Sequence, residues 1–462
     1  MKFLFRSSDA LCLPQALRVQ SEGNKVRLSV DRPGFERMGD GFVDKVMNFD
    51  AAVDWADVVV YDVQEGKLPD EADKLRAKGK PVVGTSALGQ QLEHDRKFGI
   101  DFARKAGIMV PEVAEFNGRA AFAQAREFLH TKPANVDWVL KINGKAPEGV
   151  GTFVSKDGRT GAMRMLKHWE EMYCKANIRP DFVVTKRIDG CEISTEAWFN
   201  GNDFVLPNHT LERTKFFPGD LGEKVGCTGN VVWLAARESP LVQKLLLPLT
   251  SQLAGRFVGP LDVNVIIERS SNEPVFLEFS PRFGYDAVFA LMELFDSDFG
   301  EFLYQVASKQ PAQYRINESL FAGDVRLCIP PYPAKGAKES SEECQDVPVF
   351  GIDKRAYNRH QHLVEVCLDY DNEVVTSGPH GFVLSVTGRG DTARTAQEAA
   401  YKQIDKIRIP NMRYRNDLVD AIGQEYSKVE DTGWLDQGTE AKPISLLSSM
   451  SRPLARRKLG TR

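Results

Sequence analysis

Short apolar runs alternate with amphipathic stretches over the first hundred residues. Lys2–Phe5, Lys25–Val30 (KVRLSV), Val58–Tyr61 (VVVY) and Pro81–Val83 read as strands, with helical patterns between them such as the one ending near Gln20. Strands separated by helices predict a parallel α/β sheet, and the unbroken apolar VVVY fits a strand covered on both faces. A charged helix is predicted over Glu93–Ala106, stopped by Gly107, with Pro111 opening a new segment. From there the pattern becomes α+β. Trp138–Ile142 (WVLKI) and Thr152–Ser155 are strands around a glycine-bearing loop, and Gly161–Cys174 is helical. Asp181–Lys186 and Cys191–Phe199 are strands separated by Asp189-Gly190, which reads as a hairpin turn. Leu261–Glu268 and Pro274–Phe279 form a second pair across a polar turn. A third unit opens near Phe321, with strands at Val364–Leu368 and Phe382–Val386. Its helix, Thr395–Ile407, is begun by the capping pair Thr395 and Glu398.

Composition narrows the class. The chain has 462 residues, 60 basic and 64 acidic side chains, 42% hydrophobic and 27% charged residues. That is enough apolar material for a large core, and it excludes disordered, collagenous and disulfide-stapled chains. The near-neutral balance gives no electrostatic footprint for a dedicated nucleic-acid binder. Seven scattered cysteines form no C-x-x-C pair, so reduced thiols are expected rather than a metal knuckle or disulfide framework. No apolar run approaches the ~20 residues needed to cross a bilayer. The N-terminal stretch lacks the pattern of a signal peptide, and a cytoplasmic protein is expected.

Two segments carry chemistry. In Leu261–Gly284 (LDVNVIIERSSNEPVFLEFSPRFG), alternation places Asp262 and Asn264 on one face of a strand, and Glu278 and Ser280 likewise on the next. Paired as a hairpin, Asn264, Glu278 and Ser280 gather on one side with Arg282 just beyond. Such oxygen donors suit Mg²⁺, and the arginine suits phosphate charge; a merely wet hairpin face is the alternative. Lys141 leaves its strand beside Gly144, Gly149 and Gly151, as a phosphate-holding lysine does, although no Walker A spacing is present. A plain hairpin loop is the alternative there.

In order and spacing these segments resemble the phosphoribosylamine–glycine ligases (glycinamide ribonucleotide synthetases) of the ATP-grasp superfamily, over residues 1 to about 425. PVVGTSALGQQLEHDRKF resembles the family's strand-turn-helix and gives Lys97 the place of its helix lysine. VLKINGKAPEGVG matches the phosphate loop with Lys141, and TKRIDGCE matches the hinge. EFSPRFGYD matches the closing E-F-N-x-R-F-G-D signature, and VVTSGPHGFVLSVTGRGD the C-terminal segment. The resemblance implies an α/β and α+β chain with an ATP-grasp fold, an N-terminal parallel α/β (pre-ATP-grasp) domain and a small C-terminal α+β domain. Its boundaries would be 1–105, 106–318 with a lid at about 115–190, 319–425, and a polar, basic tail at 426–462.

The resemblance also implies roles. Lys97, Lys141, Lys186, Ile188 and Glu192 would bind ATP, with Lys186 to Ile188 edging the adenine and Glu192 on the ribose. Asn264, Glu278 and Ser280 would hold Mg²⁺ (or Mn²⁺), and Arg282 with Lys141 would serve the reacting phosphate. The implied reaction, a step of purine biosynthesis in the family, joins glycine to phosphoribosylamine through an acyl phosphate. Partners would be small molecules (ATP, an amino acid, an amine), with no membrane or nucleic acid, in a monomer or homodimer. Departures concentrate at the amine end. The family's G-x-G-G-R-E-H turn is RSSDALCLPQ here, leaving Arg6, Ser7 and Ser8 as candidate phosphate contacts. Gly-Pro-Glu is replaced by Asp62-Val63 after VVVY, the metal-ligating asparagine by Ser280, and the G-P-N-T-G-G-M-G loop by Val225–Asn230. Two alternatives follow: a ligase joining an amino acid to another amine, or a nucleotide-binding relative without turnover.

Overall fold

The computed structural model describes residues 1–143, 151–318, 320–333, 342–353 and 359–435. Gly144, Gly149 and Val150 of the expected phosphate loop, and the basic stretch 442–462, lie outside them.

Five parallel strands make the N-terminal sheet: β1 (Lys2–Ser7), β2 (Lys25–Val30), β3 (Asp44–Lys45), β4 (Val58–Tyr61) and β5 (Val82–Val83), in the order β3-β2-β1-β4-β5. All four residues of β4 are buried, as an apolar run without alternation requires. The chain winds outward in opposite directions from β1 and β4, so the crevice beyond their C-terminal ends is the sheet's switch point.

The expected helix over Glu93–Ala106 is two helices, Ala87–His94 and Arg96–Lys105, separated by Asp95. Asp95 leaves helical geometry (ψ 94°) and its carboxylate accepts from the Phe98 amide at 3.0 Å, capping the second helix. This break turns the following side chains relative to a continuous helix, with consequences for the site.

A lid follows, a four-stranded antiparallel sheet of β6 (Val113–Phe116), β7 (Trp138–Ile142), β8 (Thr152–Val154) and β9 (Phe182–Lys186), ordered β6-β9-β7-β8. Helices Ala121–His130 and Gly158–Lys175 cover it around a separate core containing Trp138, Trp169 and Phe182. The lid thus has its own hydrophobic support and can hold its shape as a unit.

Asp189-Gly190 is not a hairpin turn. β9 belongs to the lid, whereas β10 (Gly190–Phe199) pairs with β11 (Phe204–Phe217) and β13 (Gly259–Glu268) of a different sheet. The dipeptide is the joint between lid and body. Here the backbones are crowded, since a Cβ on Gly190 would stand 1.9 Å from the Ile267 carbonyl oxygen.

The central sheet has eight strands. β12 (Leu221–Leu234), β14 (Pro274–Ser280) and β15 (Phe321–Cys328) extend the set above, followed after the small β17 (Val366–Leu368) and β18 (Val374–Thr376) pair by β19 (Phe382–Gly390), with β16 (Gln361–Leu363) at the edge. The order is β14-β13-β10-β11-β12-β15-β19-β16, antiparallel throughout. β15, β19 and β16 come from beyond residue 319, so the C-terminal unit continues the body's sheet. Of the strand expected at Val364–Leu368, only Val366–Leu368 is strand (β17); Val364 and Glu365 are the link to it from β16, which ends at Leu363. The helix after β19 runs Ala393–Ile404, and its capping box is formed by Thr392 and Thr395 rather than by Thr395 and Glu398.

Residues 426–435 are packed, not a tail. They complete the helix Leu418–Glu430, where Val429 is buried and Tyr426 stacks edge-on against Trp233 and Phe321. The Trp434 indole then donates to the Asn272 carbonyl at 2.7 Å.

Candidate nucleotide site

The floor of the site is the face of the central sheet under the lid. Cross-strand register places Asp262 opposite Ser280 and Asn264 opposite Glu278. Residues directly opposite share a face, so the expected gathering of Asn264, Glu278 and Ser280 is present, with Asp262 added. On the neighbouring strand Ser194 and Glu196 face Asn264 and Asp262 in turn. Asn264 Oδ1 accepts from Ser194 Oγ at 2.5 Å, and its amide donates to Asp262 Oδ2 at 3.1 Å.

A cleft of about 330 Å³ opens between this face and the lid, lined by Arg96, Lys141, Lys186, Ile188, Glu192, Lys224 and Glu278 among others. Lys141 projects from β7 and its Nζ is 3.7 Å from Glu278 Oε2. Arg96 Nη1 reaches the same oxygen at 3.5 Å, and Arg96 Nε bonds the Ile142 carbonyl at 3.4 Å. Burial pulls the Lys141 ammonium below its ordinary pKa, with Glu278 opposing the shift. Enclosure by the cleft walls resists ionisation of the half-exposed Glu278 too, but Lys141, Arg96 and Arg282 outweigh it and hold this carboxyl below its usual value. The cluster is therefore lysine and arginine cations around one ionised carboxylate, facing open space.

Lys97 is not part of it. Its side chain is 61% exposed and pairs with Glu115 at 3.3 Å on the surface. Starting a new helix after Asp95 points Arg96 into the cleft and Lys97 away, so the cation that the sequence suggested at Lys97 is supplied by its neighbour.

Lys186, Ile188 and Glu192 flank the joint between β9 and β10 and all line the cleft. Lys186 ends β9, Ile188 lies in the joint and Glu192 is the third residue of β10. Lys224, on β12, enters the cleft from the far side; Val225–Asn230, expected as a loop, are likewise part of that strand. β11 and β12, two strands of 14 residues each, are not singled out by the sequence pattern at all.

Arg282 sits just past β14, and its Nε donates to Glu93 Oε1 at 2.8 Å. Phe283, next in sequence, is buried edge-on against Trp198 with ring centroids 5.3 Å apart. Burying such a ring stabilises by roughly 1.5–3 kcal/mol, and this anchor fixes the loop that carries the arginine.

The acidic face fits a hard cation. Burial pushes the Asp262 carboxyl up to about 7, partly offset by the hydrogen bond from Asn264 and by the Arg282 charge, and its Oδ1 is enclosed without a donor. Glu196 is pushed up to about 8 by burial and by Asp262. Among the described residues no three His, Cys, Asp or Glu side chains are grouped to hold an ion alone. Mg²⁺ ordinarily takes one or two carboxylates and completes its shell with water and phosphate oxygens, which is what Glu278, Asn264, Ser280 and Asp262 offer.

At the amine end two of the three expected phosphate contacts, Arg6 and Ser7, are engaged elsewhere, while Ser8 is buried. Arg6 bonds Ser29 at 2.9 Å, Asp31 at 2.5 Å and Glu71 at 3.2 Å. Ser7 Oγ donates to Asp62 at 2.8 Å and accepts from the Ala10 amide at 2.9 Å. Asp62 and Tyr285, bonded to each other at 2.9 Å, join the N-terminal sheet to the Arg282 loop.

Residues 94–287 match the family model for the ATP-grasp (A) domain of phosphoribosylglycinamide synthetase. The phosphoribosylamine–glycine ligase of Caulobacter vibrioides is 25% identical over 375 residues, covering 79% of this chain and 83% of its own. Among solved structures, the phosphoribosylamine–glycine ligase of Thermotoga maritima superposes with a TM-score of 0.68 at 18% identity, over 90% of this chain and 100% of that one. The N5-carboxyaminoimidazole synthetase of Staphylococcus aureus, solved with ADP, does so with a TM-score of 0.53 at 12% identity, over 87% of this chain and 97% of that one. The fold is an ATP-grasp fold.

Proposed function

We infer, from an ATP-grasp domain related to that of the phosphoribosylamine–glycine ligases, that this chain is an enzyme joining a carboxylate to an amine at the expense of ATP. The observation that carries the reading is the convergence of Lys141 and Arg96 on Glu278 inside the lid–body cleft. Cations that meet over one carboxylate in a closable cleft are arranged for a triphosphate and its counter-ion.

On this reading the adenine lies along Lys186 to Ile188, Glu192 takes the ribose hydroxyls, and Lys141 and Arg96 receive the phosphates. Glu278, Asn264 and Ser280, with Asp262 beside them, would hold Mg²⁺ or Mn²⁺, which when bound neutralises triphosphate charge. A carboxylate oxygen attacks the γ-phosphorus, and the bond from phosphorus to the ADP oxygen breaks, giving an acyl phosphate. The amine nitrogen then attacks the acyl carbon. Phosphate leaves with the electron pair of the broken C–O bond, and the amine proton passes to phosphate or solvent. Arg282 offsets charge on the transferred phosphoryl group. The protein supplies position and charge rather than a nucleophile.

Glycine, named in the relatives' activity, is the first carboxylate to test. A cytoplasmic setting accords with seven free cysteines, and among the described residues no helix is long and apolar enough to cross a membrane. The reading is tested by following ADP release from ATP over a panel of amino acids and amines. Release that requires one of each is expected. ADP release indifferent to both substrates, or ADP binding without turnover on any pair, overturns it.

A further inference from the structure

The end of the β11–β12 hairpin stands clear of the central sheet. β11 meets β10 from Phe204 to Thr210, and β12 meets β15 from Gly229 to Trp233. Between Thr210 and Gly229 the two strands have only each other as ladder partners among the described residues, with Lys215 opposite Lys224 and Phe217 opposite Leu221. The first stretch of β12, from Leu221 to Lys224, is exposed. A two-stranded ribbon is marginally stable in water by itself, so its position has to come from something bonded to it.

The C-terminal part of the chain provides it. Arg415 is buried and commits every nitrogen of its guanidinium. Nη1 donates to the Lys215 carbonyl at 3.1 Å and to Asp220 at 2.7 Å, while Nε and Nη2 hold Asp417 at 2.8 and 2.7 Å. The same Asp417 accepts from the Gly219 amide at 2.8 Å. Tyr401 OH donates to the Arg415 carbonyl at 2.5 Å, and Arg213 of β11 donates to the Ala421 carbonyl at 2.6 Å. Charge-assisted bonds from a planar fork fix orientation as well as place, so the hairpin end is latched.

What the latch places is Lys224. Its side chain lines the lid–body cleft together with Lys141, Glu192 and Glu278. Enclosure pulls the Lys141 ammonium below its ordinary pKa, with Arg96 and Lys224 adding to the pull. Enclosure raises the Glu192 carboxyl, and Lys224 leads the charges that oppose the rise. Lys224 therefore stands within electrostatic reach of both the phosphate lysine and the residue assigned to the ribose. Lys215, opposite it, is committed to the Gly222 carbonyl at 2.5 Å. No hydrogen bond or ion pair engages the Lys224 ammonium among the described residues. Lys141 and Arg96 already share Glu278, so Lys224 brings the cleft a further cation for the negative charge of a ligand.

We propose that Lys224 binds the nucleotide phosphates from the body side of the cleft, and that Arg415 and Asp417 are positioning residues that hold its hairpin over the site. The proposal rests on the nucleotide reading of the cleft and adds to it a third cation and a role for the C-terminal part. The test is calorimetric titration of the full chain with ADP in the presence of Mg²⁺. Lys224→Met should weaken ADP binding about tenfold, the size of one charge-assisted bond, with the melting temperature within a few degrees of the parent. Lys224→Arg, which restores the charge, should recover most of that loss. Arg415→Lys keeps a charge but loses the fork, and should weaken ADP binding in the same direction. On a Lys224→Met background it should cost almost nothing more, because the cation it positions is gone. Asp417→Asn, at a part-exposed residue, serves in its place if Arg415→Lys does not fold. Lys224→Met with the parent's ADP affinity, Lys224→Arg no better than Lys224→Met, or latch and lysine losses that multiply in full overturns the proposal. A parent protein that binds no ADP overturns the nucleotide reading with it, whereas a binding parent and an unaffected Lys224→Met remove this proposal alone.

Discussion

Lys141 and Glu278 meet across the cleft at 3.7 Å, one from the lid sheet and one from the body sheet. The contact ties lid position to the charge state of the floor. Glu278 is 51% exposed and carries little packing, so Glu278→Gln should leave the melting temperature within a few degrees of the parent. It should nevertheless lower kcat by about 10²–10³-fold, the usual size of losing one preorganised charge partner. Melting curves and steady-state ADP release measured on the same preparation check both halves. Near-normal turnover would remove the β13–β14 hairpin from the mechanism.

The neighbours Arg96 and Lys97 should behave very differently. Arg96→Ala removes a cation from the cleft, and a weakening of ADP binding of about tenfold is expected, comparable to one charge-assisted hydrogen bond. Lys97→Ala removes an exposed pair with Glu115 worth about 0–1 kcal/mol, and ADP affinity should stay within twofold. Titration of both variants with ADP decides the matter. Equal losses would mean that the helix break at Asp95 does not set which side chain reaches the nucleotide.

These two residues also show where a single sequence stops being informative. Both are basic and adjacent, and only the break at Asp95, itself a local capping event, decides which faces inward. The β13–β14 hairpin was legible because alternation, turn and oxygen-bearing residues all agreed within 24 residues. Asp189-Gly190 was misleading because the same dipeptide suits a hairpin and a joint. Which sheet a strand enters depends on partners 70 or more residues away, such as Asn264 opposite Ser194. The packed end of the chain was hidden for the same reason: Trp434 finds Asn272 and Lys244, neither near it in sequence. Of the amine end, the sequence announced only that the glycines were gone. That Ser7 and Arg6 are consumed by Asp62, Asp31 and Glu71 is a matter of three-dimensional pairing.

Stability of the ligand-free protein should fall as pH rises. Glu196 is buried, with Asn208 as its donor at 3.3 Å, and holds its proton up to about 8 against an ordinary value of 4.5. The folded state thus binds more protons than the unfolded chain between these values. Its contribution is retained at the acid end of that window and lost progressively as pH climbs through about 8. Glu196→Gln, which cannot ionise, should flatten the decline. Melting temperatures from pH 5 to 8.5 on both proteins test this; an identical slope would show that Glu196 ionises without cost.

The joint at Gly190 gives the last prediction. A methyl group there would collide with the Ile267 carbonyl oxygen, a backbone atom held in the β10–β13 ladder where Cys191 pairs with Ile267. The strand cannot yield without breaking that register, so Gly190→Ala must displace the joint rather than a side chain. Overpacking of this kind typically costs about 1–3 kcal/mol. Lys186 and Ile188 lie just before the joint and Glu192 just after it, so the displacement should weaken ADP binding as well as lower the melting temperature. Ala197, further along the same strand and away from the joint, serves as the control: Ala197→Gly should destabilise by lost packing and by glycine's extra chain entropy with ADP affinity kept. If Gly190→Ala lowers stability yet binds ADP like the parent, the joint is structural support and does not set the nucleotide's position.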